Sequence, residues 1–159
     1  MSFALTVRIT GFDSVETMLA RLNPLDSGTL LEGLARLIQQ QTRRRIEEEK
    51  TAPDGGAWEA NKAGTSTLYK SGTLSRSIDY AVQGESVIVG SGLIYAGVHQ
   101  DGATIRPKSA RRLVFRLGNA LIFAMQVTIR ARPFLGVSSA NAQDIIETTV
   151  DFVRRRLGL

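Results

Sequence analysis

"SRSIDYAVQGESVIVGS", residues 75–91, consists of two stretches in which apolar and polar side chains alternate. Alternation with a period of two is typical of β-strands that bury one face. Gly84 and Glu85 separate the two stretches, and a two-residue connection of this kind favours an antiparallel hairpin. The sequence therefore predicts a β-hairpin here, and the neighbouring segments extend the same pattern.

A second hairpin is predicted further along the chain. "RRLVFRLGNALIFAM", residues 111–125, has two apolar stretches with Gly118 and Asn119 between them. "QVTIRARPF", residues 126–134, adds another extended segment that ends at Pro133. At the start of the chain, "FALTVRI", residues 3–9, is rich enough in β-branched and apolar residues to form a strand.

Capping signals indicate helices on either side of these strands. "DSVE", residues 13–16, has the form of a capping box and predicts a short helix that ends before Pro24. Thr29 and Glu32 repeat this spacing and predict the start of a long helix. The apolar side chains of that helix fall on one side. They are Leu30, Leu31, Leu34, Leu37, Ile38 and Ile46.

The end of the long helix and the final helix of the chain have different charge patterns. "RRRIEEEK", residues 43–50, mixes charges at helical spacing, and we interpret it as the exposed end of the long helix. Ser138 or Ser139 is predicted to cap a final helix, whose last turn contains three arginines. Its apolar stripe consists of Ala142, Ile145, Ile146, Thr149, Val150, Val153 and Leu157.

The order of these elements predicts an α+β fold. An antiparallel sheet is expected, with a long helix from the N-terminal half and a C-terminal helix packed on one face. A length of 159 residues suits one domain with its own core, so we assign residues 1–159 to a single domain. Within it, residues 51–67 form a loop of Pro, Gly, Ser and Thr around Trp58, which we expect to be mobile.

Composition excludes several classes of protein. The chain has no cysteine, so disulfides, thiol nucleophiles and cysteine metal sites are excluded. No apolar run approaches the roughly 18 residues that a membrane span needs. The first residues do not have the basic and then apolar pattern of a secretory signal, so we expect neither a signal nor a membrane contact.

Positive charge is concentrated in the last part of the chain. Residues 101–159 have 10 basic and 4 acidic side chains, and their net charge of +6 exceeds the formal +5 of the whole chain. A basic region of this kind suits nucleic acid, an acidic protein surface, or simply contact with solvent. Charge alone does not choose among these.

His99 is the single histidine, and it is a poor catalytic candidate. A histidine base needs a nucleophile or polarised water within reach and a group that orients its ring. The nearby Asp101 lies in "QDG", a turn-forming sequence in which aspartate usually bonds its own backbone. With no second histidine, a zinc site is also disfavoured. We therefore expect His99 to be structural, and we expect no catalytic residue, cofactor or metal in this chain.

Four segments in a fixed order resemble a known family. They are "PDGGAW" (53–58), "LYKSGTLSRSI" (68–78), "VGSGLIYAGVHQDGATIRPKSARRLVF" (89–115) and "ARPFLGVS" (131–138). Together they resemble the phage virion morphogenesis family, the tail-completion proteins of Mu-like and related tailed phages. The glycine pair in "GGAW" departs from the pattern and bears on the conformation of that loop.

This resemblance implies a structural role without catalysis. It implies a protein assembled in the host cytoplasm into the virion neck, where it completes the tail and joins it to the head. Partners implied are further copies in a ring, a hexamer by analogy with related terminators, then neighbouring neck and tail-tube proteins and, transiently, passing DNA. It also implies that "YAGVHQDG", residues 95–102, is a strand-to-turn corner where Tyr95 and His99 pack and Gly102 permits the turn.

Candidate contact residues lie mainly in "TIRPKSARRLVFR", residues 104–116, which has five positive charges and no negative one. One destination is the inner wall of the ring, where nonspecific phosphate attraction lets DNA slide. The other is an acidic protein face, which suits the four arginines better and is favoured here. The candidates for this interface or the DNA channel are Arg106, Lys108, Arg111, Arg112, Arg116 and Trp58.

Trp58 has three possible roles in this interpretation. It can anchor the loop on a neighbouring subunit, stack on a base, or fold back as the plug that fastens the loop to its own domain. The principal alternative to a ring subunit is a sequence-nonspecific nucleic-acid-binding module, which binds free DNA with strong salt dependence. A small hydrolase is the third, and it needs a cleft with perturbed titratable groups.

Overall fold

The predicted first hairpin forms the centre of a three-stranded antiparallel sheet. The structure, a computed structural model, describes residues 3–7, 24–61 and 64–158. Strands β2 (Ile78–Gln83) and β3 (Ser86–Ser91) pair across Gly84 and Glu85, and β1 (Phe3–Val7) pairs with the other edge of β3. The sheet order is therefore β1-β3-β2. Alternate side chains of β3 are buried, as the period of two predicts.

The long helix covers one face of this sheet. Helix α1 (Pro24–Arg44) packs against β2 and β3 and continues into one π-helical turn, Arg45–Glu49. It begins at Pro24, five residues before the predicted start, because proline fits the first turn of a helix, where no backbone N–H is needed. Its predicted apolar side chains face the core: Leu30, Leu34, Ile38 and Ile46 are buried and Leu31 and Leu37 half-buried. The short helix predicted from residue 13 lies outside the described residues.

Two smaller antiparallel pairs follow. Strand β4 (Ala103–Ile105) pairs with β7 (Val127–Ile129), and β5 (Leu113–Leu117) pairs with β6 (Ala120–Ala124). The predicted second hairpin and its turn at Gly118 and Asn119 are thus confirmed. The strands form three sheets rather than one in the described residues.

"YAGVHQDG" is helical, so the prediction of a strand-to-turn corner is wrong. After the four-residue helix α2 (Thr73–Arg76), helix α3 spans Ile94–Asp101. Tyr95 and His99 lie one helical turn apart, with ring centroids 5.9 Å apart and edge to face. Gly102 ends α3 with φ 75°, which confirms that it permits the change of direction.

The final helix, α4 (Ser139–Leu157), packs chiefly against α1. Ser138 is its N-cap, and its side chain accepts a hydrogen bond from the backbone N–H of Asn141. Ile145 and Val153 are buried, and the remaining members of the predicted stripe are half-buried. The α+β class is confirmed.

Candidate functional site

The predicted contact residues lie on a surface loop and the hairpin that follows it. Residues 106–112, here called the basic loop, connect β4 to β5, and Arg116 lies within β5. All five cationic side chains predicted here are exposed. Arg106 Nε donates a 3.3 Å hydrogen bond to Gln126, and none of the five forms an ion pair with a described carboxylate. Their charge is therefore free to act on another molecule.

The β5–β6 hairpin adds an exposed apolar face to this charge. Val114 lies opposite Phe123 and Arg116 opposite Leu121 in the strand register, so these four side chains share one face, here called the hairpin face. Val114, Leu121 and Phe123 are each more than half exposed (57%, 53% and 57%). Single exposed apolar residues are ordinary, but a cluster on one face marks a contact site.

Sequence reasoning missed the hairpin face, although a signal for it was present. "LVF" and "ALIFAM" are apolar without a break, whereas a strand with one solvated face alternates. The opposite face of the hairpin contains Leu113, Phe115 and Ile122, which are half-buried. A strand pair that is apolar on both faces has to be covered on both faces. The described residues cover the face that contains Leu113, Phe115 and Ile122 and leave the hairpin face exposed.

Trp58 is buried within its own chain, which corresponds to the plug among the roles predicted for it. The side chain is 9% exposed, belongs to the main core cluster, and its Nε1 donates to the carbonyl oxygen of Pro133 at 3.1 Å. Arg132 adds two hydrogen bonds to the carbonyl oxygen of Glu59, next in the chain. Little of Trp58 is left for a neighbouring subunit or a base to contact.

The prediction that residues 43–50 are an exposed helix end is wrong at Arg45. Arg45 is 1% exposed, and burial lowers the pKa of its guanidinium. Its Nη1 donates to the carbonyl oxygens of Phe134 and Gly136, and its Nη2 donates to the side chain of Asn141. The residue lies on the buried stripe of α1, three to four residues after Gln41 and Thr42, and that spacing was visible in the sequence.

His99 lies at the edge of a cavity of about 260 Å³ between α3 and residues 61–74. Burial and the nearby charge of Arg132 lower the pKa of His99 below its ordinary value, so the ring is neutral at pH 7. Its Nδ1 is buried and has no hydrogen-bond partner among the described residues. The lining offers hydroxyls and cations but no general base hydrogen-bonded to a nucleophile, as a hydrolytic site requires.

A second groove, of about 490 Å³, lies between the end of α1 and the beginning of α4. Leu37 and Gln40 line it together with the exposed carboxylates Glu47, Glu48 and Asp144. Two arginines also line it, but the guanidinium of Arg43 donates to the carbonyl oxygen of Ile78. Arg44 forms a 2.8 Å ion pair with Glu49. We call this the α1–α4 groove.

Residues 3–7, 24–61 and 64–158 contain neither a cluster of metal ligands nor a helix suited to a bilayer. No three His, Asp or Glu side chains there lie close enough together to hold a metal ion. No helix in that part of the chain is both long and apolar enough to cross a bilayer.

Comparison with known proteins places these surfaces in context. No curated protein and no solved structure gave a significant match. The model of the phage virion morphogenesis family matches residues 10–154, nearly the full length of the 159-residue chain. This match confirms the resemblance seen in the four sequence segments. The chain therefore belongs to the phage virion morphogenesis family, a family of structural proteins of the phage virion.

Proposed function

We propose that this chain is a tail-completion protein, which forms a ring at the head-proximal end of a phage tail and joins the tail to the head. The observation that supports this best is the family match over residues 10–154. Its role is non-enzymatic in this proposal. It is assembled in the host cytoplasm and remains in the neck of the virion.

The structure of the subunit suits a ring component. The hairpin face and the basic loop are adjacent in the chain, and the β5–β6 hairpin leaves both of its outer strand edges unpaired among the described residues. Unpaired strand edges and exposed apolar faces are features that oligomers cover with neighbouring subunits. Six copies is the number we propose, by analogy with related terminators.

The basic loop is proposed to bind protein, with the DNA channel as the second candidate. Exposed positive charge alone suits phosphate, since loose attraction to the backbone is independent of sequence. The apolar hairpin face continues directly from the basic loop, however, and apolar side chains contribute nothing to phosphate binding. Arginines next to an apolar cluster are typical of protein interfaces.

The function is tested by removing the chain from an infecting phage. An early stop codon should leave DNA-filled heads and separate tails, and supplying the wild-type chain from a plasmid should restore joined particles. Electron microscopy of intact virions should place the density of this chain as a ring between head and tail. Joined particles at normal yield without the chain would contradict the proposal.

Charge reversal distinguishes protein binding from a DNA channel. Arg111→Glu with Arg112→Glu should give subunits with the wild-type thermal midpoint that fail to join heads to tails. A matched control, Arg154→Glu with Arg155→Glu, reverses two exposed arginines in the last turn of α4. Normal joining with impaired DNA delivery would favour the channel. Tight, salt-dependent binding of free DNA by the isolated chain would favour the nucleic-acid-binding module.

A further inference from the structure

The chain has two exposed surfaces whose charges are opposite. Residues 102–143 contain seven basic side chains and no acidic one, and this segment includes the basic loop and the hairpin face. The α1–α4 groove has Glu47, Glu48 and Asp144 on its rim.

Helix α4 extends the acidic rim beyond the groove. Glu147 and Asp151 follow Asp144 at intervals of three and four residues, so the three exposed carboxylates lie on one side of α4. The two arginines of the groove are already engaged, by Glu49 and by the carbonyl oxygen of Ile78. A hydrogen bond to a carbonyl oxygen leaves the charge of Arg43 in place, so the groove is lined by three carboxylates and two arginines, and Glu147 and Asp151 extend this negative excess along α4.

We propose that the β5–β6 hairpin of one copy docks into the α1–α4 groove of the next copy. The basic loop lies against the acidic rim in this contact, and the hairpin face covers Leu37. The inference rests on the proposed ring and deepens it by naming the two surfaces that meet. The occupant is a second copy because the complementary charges are both present on this chain.

Topology agrees with this contact. The hairpin and the groove are different surfaces, so the contact is head-to-tail. Head-to-tail contacts generate closed rings when the rotation between neighbours closes. A hairpin-to-hairpin contact would instead bring like charges together and produce only pairs.

Because the chain has no cysteine, a disulfide crosslink between copies can form only through cysteines introduced by mutation. The variant Leu121→Cys with Asp144→Cys places one thiol on the hairpin face and one on the rim of the groove. Oxidation of assembled virions should give a ladder of multimers up to the size of the ring. The matched control, Leu121→Cys with Glu85→Cys, keeps the hairpin thiol and moves the second to the exposed β2–β3 turn, where no ladder should form.

A second pair of cysteine substitutions tests the same contact at different positions. Val114→Cys with Glu48→Cys also joins the hairpin face to the groove and should give the same ladder. Dimers from Leu121→Cys alone would show that hairpins meet each other, and would overturn the proposal. Crosslinks from both pairs only to a different virion protein, or no ladder from either, would overturn it too.

Charge exchange in the purified chain gives the second measurement. Arg111→Glu with Arg112→Glu, and separately Glu48→Lys with Asp144→Lys, should each weaken self-association about tenfold or more. Combining all four changes in one chain should restore most of the association, whereas Asp79→Lys with Glu85→Lys should leave it unchanged. Sedimentation measures the oligomeric state of each variant. Failure of the combination to restore association would contradict the contact.

The outcomes separate this inference from the proposed function. If the four-residue combination fails and crosslinks reach only another neck protein, the tail-completion role stands and the self-contact is wrong. If the ladder forms but phages without the chain still produce joined particles, the self-contact stands and the tail-completion role is wrong.

Discussion

The guanidinium of Arg45 donates a 3.0 Å hydrogen bond to the carbonyl oxygen of Phe134, 89 residues further along the chain. A second bond reaches Gly136 and a third reaches Asn141 in the first turn of α4. All three acceptors are uncharged, so the hydrogen bonds to the buried charge come from dipoles rather than from a carboxylate. One side chain thus fastens the end of α1 to the segment that begins α4.

Replacing Arg45 should cost more stability than replacing either arginine before it. Arg45→Met should lower the free energy of unfolding by about 3 kcal/mol or more, because it leaves buried acceptors without donors. Arg44→Met, at an exposed ion pair, should change it by about 0.5 kcal/mol or less. Urea unfolding followed by circular dichroism measures both. Equal, small effects would show that the three hydrogen bonds contribute little.

The contrast between Arg45 and its neighbours explains which parts of the fold were predictable. The first hairpin and α4 are predictable because their apolar periodicity is uninterrupted, and the second hairpin because Gly118 and Asn119 separate two apolar stretches. Residues 43–50 are interpreted as exposed because the run of charges hides Arg45, the charged position that falls on the buried stripe. For residues 95–102 the corner is expected from the family resemblance alone, and the helical spacing of Tyr95 and His99 becomes visible only in the packing of the two rings.

The candidate contact site was only partly predictable for a similar reason. The exposed cations of the basic loop were found from charge alone. The hairpin face was not found, because exposure of Val114 and Phe123 depends on what the rest of the chain leaves uncovered. Trp58 is an interface candidate in the sequence because it is a large side chain in a loop with little else to bury, whereas its bond to Pro133 depends on a segment 75 residues away.

Trp58 should report a buried environment in the isolated subunit. Its fluorescence should be blue-shifted and poorly quenched by acrylamide, and assembly should leave both unchanged because the indole is already covered. Trp58→Ala should lower the free energy of unfolding by about 3–5 kcal/mol. Emission that shifts to the blue only on assembly would instead indicate an anchor on a neighbouring subunit.

The loop around Trp58 is predicted to be mobile in the free subunit. Limited proteolysis should cut within residues 51–67 before other loops, at positions away from Trp58 and Glu59, which are held by hydrogen bonds to residues 132 and 133. Incorporation into particles should protect these positions. Equal resistance in the free and assembled states would contradict the prediction.

His99 should make stability depend on pH. Its pKa in the folded state lies below 6.5, so between that value and 6.5 the unfolded chain binds more protons. Stability should therefore rise with pH through this window and be lost as the pH falls below about 6.5. His99→Gln should flatten this part of the profile, measured as the urea midpoint between pH 5 and 8. The same variant should still assemble infectious particles, since the role of His99 is structural.

Gly102 should tolerate no side chain. A Cβ there would lie 2.8 Å from the backbone nitrogen of Ala131 and 2.9 Å from the carbonyl oxygen of Ile129, in addition to the cost of φ 75°. Gly84→Ala is the matched control, because Gly84 has φ 58° with open space around it. Gly102→Ala should lower the thermal midpoint clearly more than Gly84→Ala does, since it adds a backbone clash to the conformational strain. Equal losses would mean that the clash relaxes freely.

The pairing of β1 with β3 also sets an order of events during synthesis. Strand β1 ends at Val7, whose pairing partner on β3 is Val87, so the strand made first waits for about half of the chain to leave the ribosome. The β2–β3 hairpin joins residues that are close in sequence and forms quickly. Pairing of β1 with β3 is slower, because closing the long intervening loop costs conformational entropy before the strand contacts form. Until then one edge of β3 is open to other nascent chains. Rapid expression of this chain therefore favours aggregation at that edge, and slower expression at lower temperature should raise the soluble fraction.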